Sequence, residues 1–172
     1  MQSSFRLPII DIGPYLDPTQ PRSLERAAVS TALHDACVEY GFFYLDISKY
    51  VDASEPEELT RLAREFFFLP QEEKDIISIT NQDNARGKLK LHESVVYVTC
   101  WNTGYQRLNE NVTNGKADNH EGIDFYRPVE NPDKSKTLWG ENQWPSVPGT
   151  FRQKYEQWIE KMKKLGMVVM KA

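Results

Sequence analysis

The chain has 172 residues, 40% hydrophobic, 27% charged and 12% aromatic, with a formal charge of −4 from 21 Lys+Arg against 25 Asp+Glu. This is the composition of a folded chain of single-domain length, and its acidic balance argues against a nucleic-acid partner, whose phosphates need a basic stripe. No apolar run approaches the roughly 18 residues of a membrane span, the opening MQSSFRLPIIDIGPYLD meets an acid too early for a secretory signal, and Cys37 and Cys100 fit neither a disulfide framework nor a zinc spacing, so a reducing, cytoplasmic compartment is expected.

Leu7 to Ile12 reads as a short strand, with Pro8 at its start, β-formers at Ile9, Ile10 and Ile12, and a stop at Gly13-Pro14. A Pro-containing loop from Asp17 to Pro21 leads into a helix from Arg22 to Tyr40, whose apolar face is predicted to hold Leu24, Ala28, Leu33, Ala36, Cys37 and Tyr40. On that face Cys37 reads as a small hydrophobe. Gly41 stands where a helix-stopping glycine is wanted, and Phe42-Phe43-Tyr44-Leu45 is too short for a helix and reads as a buried strand.

Ser54 followed by Glu57 reads as a capping box opening a second helix, with Pro56 in its first turn and Leu59, Leu62, Ala63, Phe66 and Phe67 along one face. Leu69-Pro70 closes it. Gln71 to Asp75 reads as a charged helical turn, its Glu72-Glu73-Lys74-Asp75 run a solvated face. From about Ile76 to Trp144 the pattern is irregular with a few extended pieces. A last helix runs from about Pro148, carrying Phe151, Tyr155, Trp158, Ile159, Met162, Leu165 and Val169 at steps of mostly three and four. The chain stops at Leu165-Gly166-Met167-Val168-Val169-Met170-Lys171-Ala172, without a capping glycine or polar tail, which reads as an element cut in its middle.

Several pieces occur in order: Leu7-Pro8-Ile9-Ile10-Asp11; Ala36-Cys37-Val38-Glu39-Tyr40-Gly41-Phe42-Phe43-Tyr44; Ala63-Arg64-Glu65-Phe66-Phe67 with Leu69-Pro70-Gln71-Glu72-Glu73-Lys74; Arg86-Gly87; Gly104-Tyr105-Gln106; Glu121-Gly122-Ile123-Asp124-Phe125; and Asn142-Gln143-Trp144-Pro145. The ordered set resembles the N-terminal region of the isopenicillin N synthase-like 2-oxoglutarate/Fe(II)-dependent dioxygenases, over nearly the whole chain. The resemblance implies an α+β fold: a helix-rich N-terminal region with short strands, lacking most of the C-terminal jelly-roll barrel. It also implies Fe(II) and 2-oxoglutarate in the full-length family, held by an H-x-D…H set and by the Arg of an R-x-S motif. Three protein ligands leave iron positions open for the oxoacid and oxygen, and a guanidinium fork suits a carboxylate. This chain carries neither pattern: its histidines stand as His34-Asp35-Ala36, His92-Glu93-Ser94 and His120-Glu121-Gly122. The catalytic half is expected beyond Ala172, and neither catalytic nor metal residues are assigned here.

Where the family has a continuous Arg-Gly-Tyr-type segment, this chain has Arg86-Gly87 and Tyr105-Gln106 separated by an insertion, residues 88–103. Removing it with one flanking glycine restores a sequence close to ARGYQRL. Gly-Lys-Leu and Asn-Thr-Gly can be encoded by donor-like and acceptor-like sequences, so the piece is either a retained intron or a true insertion, and its Val95-to-Trp101 run is strongly β-prone. After Tyr44 the chain also lacks the Asn-His-Gly turn of many members.

In some family members the segment holding Arg86 and Tyr105 borders the substrate pocket. The resemblance therefore implies Arg86 against an anionic or polar substrate group with Tyr105 beside it; the alternative is an ion-paired Arg86 and a core Tyr105. His120, Glu121 and Asp124 do not have a metal-site spacing and read as a solvated acidic loop. The expected function is the N-terminal part of an oxygenase acting on a small molecule, inactive alone and self-associating through an exposed apolar face. Its alternatives are a non-catalytic protein-docking module and an enzyme of other chemistry built on His120, Glu121 and Asp124.

Overall fold

The computed structural model describes residues 6–17, 19, 23–81, 87–91, 94–98, 103–110, 112–133 and 139–172. They form two compact units, Met1–Arg61 with Gln153–Ala172, and Leu62–Arg152.

The first unit starts from two short strands, β1 (Ile9–Asp11) and β2 (Tyr44–Asp46), paired in parallel with Ile9 opposite Tyr44 and Asp11 opposite Asp46. A parallel pair needs a long crossover, supplied by the short α1 (Gly13–Leu16) and by α2 (Leu24–Glu39). Side chains alternate across a strand, so Ile10 turns inward and Leu45 packs on the core while Ile9 and Tyr44 stay open to solvent. The expectation of a buried strand over Phe42–Leu45 is therefore corrected. Phe42 is 72% and Tyr44 62% exposed, because a two-stranded sheet covered on one face leaves the other bare.

Ser23 caps α2 by accepting the Arg26 amide at 3.1 Å. At the far end Gly41 adopts φ +71° and donates its amide to the Ala36 and Cys37 carbonyls, the left-handed stop expected of a C′ glycine. The buried face of α2 is Val29, Leu33 and Ala36, whereas Leu24, Ala28 and Cys37 are exposed. Apolar residues on this helix suit two neighbouring stripes, and the packed one is selected by what it meets: Ile10, Ile12 and Leu165 of α5 (Phe151–Val169).

α3 (Ser54–Phe67) opens one step earlier than its sequence suggests. Asp52 accepts the Ser54 amide and hydroxyl at 2.9 and 2.6 Å, and Glu55 reaches back to the Asp52 amide at 3.0 Å. The capping box is thus Asp52/Glu55, correcting Ser54/Glu57: a carboxylate is a stronger acceptor than a hydroxyl, and Ser54 becomes one of its donors.

In the second unit, α4 (Gln71–Asp75) and a 3₁₀ turn (Ile79–Asn81) are followed by the hairpin of β3 (Gly87–Leu91) and β4 (Ser94–Val98). The β-prone run beginning at Val95 therefore enters a strand; residues 99–102 and Arg86 lie outside the described residues. Next come β5 (Gly104–Gln106), a small hairpin of β6 (Val112–Thr113) and β7 (Lys116–Ala117), and β8 (Gly122–Asp124), which pairs antiparallel with β5. Among the described residues every sheet is two-stranded, and no barrel closes.

Candidate functional site

Tyr105 and Glu121, from two of the segments that carry the resemblance, meet in the interior of the second unit. Antiparallel pairing places Tyr105 opposite Ile123 and so brings the residue preceding β8, Glu121, beside the ring. Tyr105 is fully buried, its ring set edge-on to Phe66 at 5.9 Å, an arrangement favoured by the aromatic quadrupole. Its hydroxyl meets Glu121 Oε2 at 2.5 Å.

Lys74 of α4 completes the cluster. Its ammonium donates to the same Glu121 oxygen at 2.8 Å and to the Phe67 carbonyl at 3.2 Å, and lies 5.3 Å from the Tyr105 ring centre. A lysine this buried requires a counter-charge and satisfied donors, and it has both. Burial alone would lift the Glu121 carboxyl, but hydrogen bonds from Lys74 and Tyr105 outweigh it and hold the acid below its ordinary 4.5. Burial and the neighbouring carboxylate both push the Tyr105 phenol up. The cluster is a charge-assisted knot joining α4, β5 and the approach to β8. Its protons are held, not offered. At the rim, Arg107 grips Asp75 in a two-pronged contact of 2.7 and 2.6 Å.

Beside the knot, the Tyr105 amide bonds the Ile77 carbonyl at 2.8 Å. Gly104 makes this approach possible: it sits at φ +122°, and a Cβ there would lie 2.4 Å from the Ile77 carbonyl and 2.6 Å from Gln143. Gln143 donates to the Ser78 and Thr103 carbonyls, both at 2.9 Å, while Asn142 pairs with the Tyr126 amide and carbonyl at 2.8 and 2.7 Å. Trp144 stacks on Phe125 at 3.9 Å. The Asn142-Gln143-Trp144 string is therefore a clip made of two backbone-mimicking amides and one ring.

Tyr105 is thus placed in the core with its hydroxyl engaged, and its expected neighbour Arg86 lies outside the described residues. Two readings are corrected. Lys74 does not belong to a solvated run: it is 7% exposed, because the short α4 turns its lysine toward Tyr105. Glu121 does not sit in a solvated loop, since Lys74 and Tyr105 hold it. Neither pairing could be read from residue type or spacing, because the partners lie 47 and 16 positions apart. Their joint presence in the ordered motif set was the one signal available.

The described side chains do not fit a ferrous site. No three His, Cys, Asp or Glu converge among the described residues. His34 lies exposed on α2 in the first unit, and His120 is exposed in the second. Likewise, among the described residues no helix is long and apolar enough to cross a membrane.

A family model described as "non-haem dioxygenase in morphine synthesis N-terminal" matches residues 7–147. Homoarginine-6-hydroxylase 2-ODD-233 of Oryza sativa subsp. japonica is 35% identical over 99% of this chain and 49% of its own length. A homoarginine-6-hydroxylase of Arabidopsis thaliana is also 35% identical, over 93% of this chain and 45% of its own. The 2-oxoglutarate-dependent dioxygenase caaD of Aspergillus niger is 27% identical over 98% and 47%. The chain spans about half the length of the curated relatives it matches. Among solved structures, a full-length Neurospora crassa protein in complex with alpha-KG and thymine has the same fold over 99% of this chain and 48% of its own, with a TM-score of 0.60 at 20% identity.

Proposed function

Because this chain belongs to the non-haem dioxygenase N-terminal family, we propose that it is the N-terminal region of a 2-oxoglutarate/Fe(II)-dependent oxygenase acting on a small molecule. The single observation that carries this reading is the family match across residues 7–147. In the intact enzyme, iron and 2-oxoglutarate supply the oxidising chemistry, and their ligands come from residues outside this chain. These 172 residues contribute the scaffold at the substrate side and are inactive alone. The work takes place in the cytoplasm.

Arg86 borders the substrate pocket of that enzyme, whereas Tyr105, fully buried in the second unit, does not touch the substrate. Tyr105 acts as a positioning residue: anchored by Lys74 and Glu121, it fixes β5 and hence the segment that the resemblance places at the pocket. The substrate class follows the relatives at 34–35% identity, which are named for homoarginine hydroxylation, and is a cationic amino acid.

The test has two arms. The purified chain is titrated with Fe(II) under anaerobic conditions and assayed for 2-oxoglutarate consumption; neither stoichiometric binding nor turnover is expected. The chain is then joined to the remaining half of the rice homoarginine-6-hydroxylase, and homoarginine-stimulated turnover is expected. Stoichiometric iron with turnover by the chain alone overturns the proposal, and so does a folded, iron-loaded chimera on which no small amino acid stimulates turnover. The docking-module reading stands second, favoured by the exposed Ile9, Phe42 and Tyr44 on the bare side of β1 and β2.

A further inference from the structure

The ribbon of β5 and β8 has two sides, and the knot occupies only one. Side chains alternate along a strand, so Tyr105 and its register partner Ile123 share the inner side, while Gln106 and Asp124 belong to the other. Gln106 stands opposite Gly122, where a Cβ would meet no atom within 4 Å. That bare position lets the two polar side chains meet on the diagonal: the Gln106 amide donates to Asp124 Oδ2 at 2.5 Å.

Asp124 differs from the acids around it. Glu121 is held by Lys74 and Tyr105, and Asp75 by Arg107. Among the described residues Asp124 has no ion pair, and its Oδ1 accepts no hydrogen bond. Its carboxyl is lifted above the ordinary 3.8, because desolvation outweighs the Gln106 hydrogen bond and the charge of His120. A carboxylate steadied by one amide and lacking a resident base suits the cationic end of a ligand. A guanidinium suits it best, since its planar fork can address both carboxylate oxygens.

We propose that Asp124 is the specificity-determining residue that recognises the substrate's cationic side chain, with Gln106 the positioning residue that holds its carboxylate. The inference rests on the oxygenase reading, in which the segment containing β5 lies at the substrate pocket. The inner side of that segment is closed by Phe66 and Glu121 packed on Tyr105, which leaves the side of Gln106 and Asp124 for the substrate.

The test uses the chimera with the rice half, loaded with iron and 2-oxoglutarate and kept free of oxygen. Isothermal titration calorimetry compares homoarginine with homocitrulline, its neutral isostere. The unaltered chimera should bind homoarginine at least about tenfold more tightly. Asp124→Asn should bring the two affinities to within about threefold, by weakening homoarginine alone. Asp124→Glu should retain a preference for homoarginine, and Gln106→Leu should reduce that preference without removing it. Circular dichroism and iron content show that each variant is folded and loaded. A chimera that does not distinguish the two ligands overturns the proposal, as does an Asp124→Asn variant that keeps the full preference or an Asp124→Glu variant no better than Asp124→Asn. A Gln106→Leu variant with unchanged preference overturns the positioning role. Homoarginine-stimulated turnover with a preference indifferent to Asp124 sinks this inference and leaves the oxygenase reading standing; a folded, loaded chimera that no amino acid stimulates sinks both.

Discussion

Glu121 serves two donors at once, the ammonium of Lys74 and the hydroxyl of Tyr105, and the three depend on each other. Removing one member of a buried, satisfied group strands the others. Tyr105→Phe is expected to cost about 1–3 kcal/mol in a urea melt through the lost hydroxyl. Lys74→Met, which leaves the half-buried carboxylate unpaired, should cost about 3 kcal/mol. Acid sensitivity follows from the same group. The Glu121 carboxyl is depressed in the folded chain, so its contribution is complete above its ordinary 4.5 and is lost as pH falls through the lower folded value. Stability measured from pH 7 down to pH 3 should therefore fall more steeply for the unaltered chain than for Glu121→Gln, which lacks that titration; parallel curves would show that Glu121 carries none of it. At this scale the sequence was a partial guide. Tyr105 could be singled out from its motif. Lys74 looked like any solvated lysine, since nothing in a Glu-Glu-Lys-Asp run distinguishes the one member that faces inward.

Among the helix ends, the glycine stop of α2 was legible, because its chemistry is local. Gly41 stops α2 as its position suggested, and Ser23 caps the other end; Ser23→Ala should cost about 1 kcal/mol. The capping box of α3 was placed two residues late because Ser54/Glu57 and Asp52/Glu55 have the same spacing, and only the hydrogen bonds decide between them. Accordingly Asp52→Ala should lower the thermal midpoint more than Ser54→Ala. Glycines differ in a similar way. Gly41 has open space where a Cβ would go, so Gly41→Ala meets only backbone strain of about 1–2 kcal/mol. Gly104→Ala adds to such strain a collision with the Ile77 carbonyl, and should cost distinctly more than Gly41→Ala in the same denaturant titration. Equal costs would show that β5 can move away from Ile77.

For the whole molecule, the residue order that resembled a dioxygenase N-terminal region is supported by the family match and by the shared fold. Since no metal-ligating set converges among the described residues, a chelator such as EDTA should leave the melting temperature of the purified chain unchanged. A fall on chelation would reveal a structural ion. Sequence alone determined the three long helices, the glycine stop after α2, the helical turn at Gln71–Asp75 and the family, since each rests on short-range spacing or on order along the chain, whereas α1 and the short strands between Ile76 and Trp144 were not read. Tertiary structure decided which stripe of α2 is buried, that Phe42 and Tyr44 face solvent, and that Lys74 finds Glu121 across 47 positions. Burial and pairing depend on which remote segments are brought into contact, and a side chain does not carry that information until the chain has folded around it.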